Sequence, residues 1–446
     1  MNAPVFGRDV APLGREVGCH GLWPWGSTIF PCDALCLLAF PTLAAQLSKK
    51  VVRQARTLYV KKLVLWQAGA LLYLSFMNMG KYSCSNCKRF YPPQPARWRC
   101  DCGSFLDLEF EPKFPIEKIV KRSPTLWRYR EALPIHSNAS VLSMNEGFTP
   151  LEEIELNGNR VLLKIDYLFP TGSYKDRGAT VLVSKMKEWG VEKVVEDSSG
   201  NAGSAVAAYC AKAGIHCEVY VPQHTSPEKL VQIQAYGATL KKVEGSREKT
   251  AEKAMVAASK IPYASHCWNP FFLHGTKTFA FEVWEQMGWK TPDTLVLPIG
   301  HGTLFLGAYL GFKELKESGM IKRIPKMVGI QSASCAPLYQ AFKKGWKETH
   351  PIQKKETIAE GIAIAEPVRG RQILESIRKT EGEVLAVTER EIKVTLKEMG
   401  RRGHFIEPTS AATIAGLKKY LRENRQKAKI ISTLTGMGLK SAGKVL

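Results

Sequence analysis

Lys175 is the residue of this chain best placed for covalent chemistry. It stands in Ser173-Tyr174-Lys175-Asp176-Arg177-Gly178, directly after the turn residues Pro170-Thr171-Gly172. A helical pattern runs from Gly178 to Trp189 and is closed by Gly190. The lysine therefore falls on the first turn of a helix, where the dipole favours anions and disfavours an ammonium. That placement favours the neutral amine needed for Schiff-base chemistry. From the residue alone, a solvated surface lysine is the plainer reading. Two further stretches suit anion binding. Ser198-Ser199-Gly200-Asn201-Ala202-Gly203 and Gly300-His301-Gly302-Thr303-Leu304 each lie between a strand and a helix start. Backbone amides face outward there, at the positive end of the helix. Taken singly, the first could be an ordinary turn and the second is a weak glycine motif.

A third group is the cysteine set Cys84, Cys87, Cys100 and Cys102. Two cysteine pairs this close together can place four thiolates tetrahedrally round a zinc ion. The role would be structural, because four protein ligands leave no open position. Such a loop-rich unit is too small to fold on its own core, and a metal would supply the stability. The second pair is Cys-x-Cys rather than Cys-x-x-Cys, so a metal-free ribbon packed on its neighbour is the alternative.

The elements that must position these residues alternate regularly. Strands are expected at Val161–Ile165, Val191–Glu196, His216–Val221, Ala238–Val243, Thr294–Leu297, Lys326–Gln331, Val384–Val387 and Lys429–Leu434. Helices are expected from Ser204 to Ala213, from Ser226 onward with Pro227 at the first position, and from Ser246 to Lys260. Others should run from Thr276 to Met287, from the glycine loop to Glu317, and after the Thr388/Glu391 capping box. Glu407-Pro408 starts a further helix. Alternating strands and helices imply a parallel sheet.

Thr171-Gly172-Ser173-Tyr174-Lys175-Asp176-Arg177-Gly178 closely resembles the lysine motif of the fold-type II pyridoxal-phosphate enzymes, the threonine synthases above all. Asn145 to Leu151 resembles the family's Glu-Gly-x-Thr-Pro-Leu. Ser198 to Gly203, Glu407 to Ala412 and Thr435-Gly436-Met437-Gly438-Leu439-Lys440 resemble later motifs, in the family's order. The resemblance spans about residues 80–446. It implies a tryptophan synthase β-like α/β fold with two three-layer α/β domains and a zinc-ribbon-like amino-terminal segment. It implies pyridoxal 5'-phosphate on Lys175, with Asn201 on the ring hydroxyl and Thr435 at the pyridine nitrogen. Gly300, His301, Gly302, Thr303 and Leu304 would hold the cofactor phosphate. Ser198, Ser199, Gly200 and Ala202 would hold the substrate carboxylate. Thr357 to Ile362 resembles the segment that closes over the ring.

The implied activity is a lyase with β-elimination or β-replacement chemistry on an amino acid. The nearest named reaction converts O-phosphohomoserine to threonine and phosphate. Several residues depart from that pattern. Ala202 stands where a threonine is usual, Phe271-Phe272 where an arginine follows Asn-Pro, and His266-Cys267 where polar residues are common. A guanidinium is the natural partner of a phosphate. A dehydratase or synthase acting on serine, threonine or a phosphoserine-like acid is therefore the alternative. A catalytically silent binding or partner subunit is a different class, disfavoured by the presence of both Lys175 and Asn201.

Composition agrees with this class. The 446 residues carry 63 Lys+Arg against 41 Asp+Glu, a formal charge of +22. That balance suits anionic small molecules. No arginine-rich run with interleaved aromatics marks a nucleic-acid surface. The 11 cysteines do not form a disulfide framework, so a reduced cytoplasm is expected. Residues 1–78 match nothing else, and their apolar run Leu63–Met77 is shorter than the ~20 residues of a membrane span. They are expected to be a disordered extension or a misplaced start without membrane contact, with a membrane-surface anchor as the alternative. The cysteine segment should cover 79–110 and the catalytic region 111–446, with a smaller α/β subdomain at about 179–275 inserted in the larger one. A homodimer is what the resemblance implies; the sequence itself shows none.

Overall fold

The computed structural model describes residues 80–424, 428–441 and 443. The expectations for the extension over 1–78 lie outside the described residues.

The cysteine segment folds as three short strands, β1 (Lys81–Ser83), β2 (Phe90–Tyr91) and β3 (Asp107–Glu109), in the antiparallel order β2-β1-β3. Two sheets follow. The larger contains β4 (Leu151–Leu156), β5 (Asn159–Lys164), β9 (Thr294–Pro298), β10 (Lys326–Ser332), β11 (Glu383–Val387) and β12 (Ile430–Thr433). Its order is β11-β10-β9-β12-β5-β4, parallel except for the β4–β5 hairpin. The smaller sheet is parallel and three-stranded: β6 (Lys193–Glu196), β7 (His216–Pro222) and β8 (Thr239–Val243). The expected strands are all present, within a residue or two at their ends. The buried strands of both sheets are Val- and Leu-rich because helices cover their faces.

The helices that position the site are α1 (Lys175–Glu188), α2 (Asn201–Ala213), α3 (Pro227–Ala235), α4 (Arg247–Ala257), α5 (Pro270–Thr276), α6 (Thr278–Gln286), α7 (Thr303–Glu317) and α8 (Pro408–Glu423). Several boundaries differ from expectation: helix α1 begins at Lys175 rather than Gly178, and α4 ends at Ala257 rather than Lys260. Helix α2 begins at Asn201, not Ser204, because Gly200 serves as its N-cap. Helix α7 begins at Thr303, after the whole glycine turn. The helix expected from Thr276 to Met287 is preceded by a separate one, α5. Asn269 caps α5 by accepting from the Phe271 amide at 3.1 Å, and Pro270 supplies its first residue.

A fully buried ionic network fixes the start of α1. The Arg177 guanidinium donates to both oxygens of Asp166 at 2.8–2.9 Å and to both of Glu282 at 2.6–2.8 Å. Lys164 pairs with Glu282 at 2.8 Å, and Thr149 donates to Asp166 at 2.7 Å. Arg177 and Lys164 hold the Glu282 carboxyl down to about 2, although burial opposes this. The motif's Arg177 is thus a structural anchor that ties β5, α1 and α6 together below the lysine.

Candidate active site

Loops leaving the carboxyl ends of β5, β6, β9 and β12 meet over one cavity of about 530 Å³. Ligands of parallel α/β sheets bind at that end of the strands. The loop after β5 carries Lys175. Its neighbour loop is stitched to it through the backbone: Tyr174 N–H donates to Thr435 O, and Met437 N–H to Gly172 O, both at 3.0 Å. Glu407 N–H donates to Gly436 O at 3.0 Å. Three of the sequence motifs are therefore one continuous piece of wall.

Lys175 lines the cavity, half-buried. Its Nζ donates to the Tyr174 hydroxyl and lies 3.5 Å from Thr303 Oγ1. Tyr174 and Thr303 hydroxyls are themselves 3.0 Å apart. The amine thus sits in a small relay of hydroxyls connecting α1 to the first turn of α7. Next to it, Asp176 is buried and accepts from the Thr171 amide at 2.8 Å and from the Thr171 hydroxyl. Burial pushes the Asp176 carboxyl up to about 7.

Ser198, Ser199, Gly200, Asn201 and Ala202 line the opposite side. The Gly200 amide donates to Ser198 Oγ at 3.3 Å. This turn depends on Gly203, where any Cβ would collide with the Ser198 carbonyl oxygen. Asn201 is held from both sides: its Nδ2 donates to Glu407 at 2.8 Å, and its Oδ1 accepts from Lys440 Nζ at 3.0 Å. Burial lowers Lys440 to about 8.

Gly300, His301, Gly302 and Thr303 line the cavity at the N-terminus of the fifteen-residue helix α7. Gly302 has φ +78, which favours glycine, and a Cβ on Gly300 would stand 2.8 Å from the Gly361 carbonyl oxygen. First-turn amides have no acceptor within their own helix. The Nδ1 of His301 is also buried without a hydrogen-bond partner. Unpaired donors packed round glycines fit an anionic group such as a cofactor phosphate. Leu304 places its side chain in the core, so only its amide belongs to this turn.

Thr435 is fully buried behind the wall. Its hydroxyl donates to Glu407 at 2.9 Å and lies 2.9 Å from Ser410 Oγ. The segment expected to close over a ring contributes Ile358, Glu360, Gly361 and Ile362 to the cavity. Sequence reasoning assigned no part to Tyr174, Gln232, Arg247, Glu407 or Lys440, which also line it. Tyr174, Glu407 and Lys440 belong to the family-like motifs. Arg247 and Gln232 come from helices of the smaller sheet, and only the fold brings them in.

Away from this cavity the four cysteines converge. Cys84 and Cys102 sulfurs are 3.6 Å apart, Cys87 and Cys100 3.3 Å, and all four lie within 4.8 Å of one another. Four thiolates about one zinc at ~2.3 Å would stand about 3.8 Å apart. The donor set and its spacing fit that ion.

A family model described as pyridoxal-phosphate dependent enzyme matches residues 142–436. The chain is 37% identical over 372 residues to a threonine synthase of Methanocaldococcus jannaschii, covering 80% of this chain and 92% of that one. It is 34% identical over 349 residues to a threonine synthase of Methanosarcina acetivorans, covering 75% and 85%. Among solved structures it resembles the processed form of threonine deaminase isoform 2 from Solanum lycopersicum. That match has a TM-score of 0.59 at 21% identity and covers 67% of this chain and 82% of that one. With Lys175 inside the matched region and the glycine turn before α7 bordering the same cavity, the chain belongs to the fold-type II pyridoxal-phosphate dependent enzymes.

Proposed function

We propose that this enzyme is a threonine synthase, converting O-phosphohomoserine and water to threonine and inorganic phosphate. The observation that carries the reading is the Lys175–Tyr174–Thr303 relay, set between the Ser198–Ala202 turn and the glycine cradle in one cavity. Lys175 would hold the cofactor's aldehyde carbon, and the amides of residues 300–304 its phosphate. Asn201, locked between Glu407 and Lys440, would contact the ring hydroxyl; Thr435, behind the wall on Glu407 and Ser410, is the residue proposed for the ring nitrogen. Bound there, pyridoxal phosphate supplies an electron sink for bond breaking at the substrate α-carbon. Ser198, Ser199 and the amides of Gly200 and Ala202 orient the substrate carboxylate at the start of α2. Lys175 Nζ would serve as the base that removes and returns protons at the substrate carbons. The Tyr174 hydroxyl steadies that amine between moves. Overall, the bond from the γ-carbon to the phosphate oxygen breaks, the β-carbon gives up one proton and takes a hydroxyl from water, the γ-carbon gains a proton, and the remaining proton of water leaves on the phosphate. Incubation with O-phosphohomoserine should release phosphate and threonine in equal amounts. Ammonia and an oxoacid from serine or threonine, without phosphate release, would replace this reading with a dehydratase.

The four cysteines would hold one structural zinc. Metal analysis of the purified protein should find about one zinc per chain, and none in Cys87→Ser/Cys100→Ser. A cytoplasmic homodimer completes the reading, and sedimentation of the purified protein would show a single-chain mass if the dimer is wrong.

A further inference from the structure

Among the described residues, the cations lining the cavity are Lys175, Lys440 and Arg247. Two of them are committed. Lys175 is bound to Tyr174 and Lys440 to Asn201. Arg247, the first residue of α4, is half-buried, and its guanidinium makes no hydrogen bond or ion pair among the described residues. Its backbone is fixed, because Ser246 caps α4 by accepting from the Lys249 amide at 3.4 Å. A second cavity of about 950 Å³ adjoins the first, and Arg247 and His301 border both. The arginine therefore stands where the reaction cavity opens.

The surrounding residues leave it as the available anion partner. Phe271 and Phe272 are fully buried, and the Phe272 ring fills the space against Gly178 of the lysine helix. The Cys267 carbonyl accepts from Arg369 at 3.0 Å. His266, on the cavity wall, has its Nδ1 3.0 Å from the buried Glu196 carboxyl. Burial pushes Glu196 up to about 8 and His266 down to about 3, the latter helped by the nearby charge of Lys175. The two side chains share this one hydrogen bond, and the His266 ring borders the cavity. A planar guanidinium with five donors and no hydrogen-bonded partner, near the His266 ring, matches a dianionic phosphate; the buried Glu196 and Asp197 carboxyls feel its charge without forming an ion pair with it.

We infer that Arg247 grips the phosphate of the substrate, with His266 beside it, and so sets the preference for a phosphorylated amino acid. This rests on the threonine synthase reading above. It assigns phosphate recognition to a helix of the smaller sheet rather than to the Asn269-Pro270 segment.

Calorimetric titration of the cofactor-loaded enzyme with inorganic phosphate tests it, since the cofactor then already fills the glycine cradle. Arg247→Ala should weaken phosphate binding about 10- to 100-fold, as expected for loss of a charge-assisted contact. Arg247→Lys should fall between. The KM for O-phosphohomoserine should rise by a similar factor while kcat changes less, with the cofactor absorbance unaltered. Should Arg247→Ala lose the cofactor band, Arg247→Gln serves in its place. Phosphate affinity within about twofold of wild type, in a variant with an intact spectrum, overturns the inference, as does a wild type that binds no phosphate. A wild type that binds phosphate through Arg247 yet releases none from O-phosphohomoserine would instead strike the proposed reaction.

Discussion

At the scale of single residues, the site works through short polar contacts to one amine. The Tyr174 hydroxyl joins Lys175 to Thr303. Tyr174→Phe should leave the cofactor attached and lower kcat about tenfold, the order of one lost hydrogen bond to a reacting group; an unchanged kcat would remove Tyr174 from the machinery. Asp176 gives a pH prediction. Its folded value near 7 lies above its reference of 3.8, so the protein gains stability from the protonated form. That contribution is complete below about 3.8 and is lost as pH rises through about 7, by at most about 4 kcal/mol. Asp176→Asn cannot titrate. Between those limits the melting temperature of the wild type should fall relative to Asp176→Asn, and parallel curves would refute the assignment.

At the scale of elements, the lysine helix is aimed from below by the Arg177 network. Glu282→Ala leaves buried Arg177 and Lys164 without their shared partner and should cost about 3–5 kcal/mol in denaturant melts. Glu282 is held below its reference of 4.5, so its contribution is present above that pH and is lost toward about 2. The Ser198 turn offers a second test. Gly203→Ala forces a Cβ onto the Ser198 carbonyl, costing about 1–3 kcal/mol of stability. Because this turn lines the cavity and is proposed to hold the substrate carboxylate, activity should fall further than that stability loss explains. The strands were legible in sequence because their apolar runs are bounded by Gly and Pro. Lys175 and the two anion-binding turns were legible because each follows a strand and opens a helix. Helix α5 was missed although Asn269-Pro270 is a helix-start signal, because seven residues are too few to show a helical period. Arg247 and Gln232 were illegible as site residues, because their place depends on how the smaller sheet faces the larger one.

At the scale of the whole molecule, the cysteine segment and the catalytic region share one buried arginine. Arg369 donates to Asp107 at 2.6 Å and to Leu106 O at 2.8 Å on the ribbon side. It also donates to Cys267 O at 3.0 Å and Trp268 O at 3.2 Å, beside His266 on the cavity wall. Removal of the zinc proposed for the four cysteines should therefore reach the active site. Chelation is expected to lower both melting temperature and kcat/KM, and activity untouched by complete metal removal would uncouple the two units. Among the described residues no helix is long and apolar enough to cross a membrane.

The central claim is that Lys175 carries the cofactor for a reaction that expels phosphate. The most direct test is to add O-phosphohomoserine to the cofactor-loaded enzyme and to Lys175→Ala, following the cofactor absorbance and the released phosphate together. The account predicts that the wild type shows a lysine-linked cofactor band that shifts on addition, with phosphate and threonine formed one for one, and that Lys175→Ala shows neither. A cofactor band and phosphate release that survive in Lys175→Ala would contradict it.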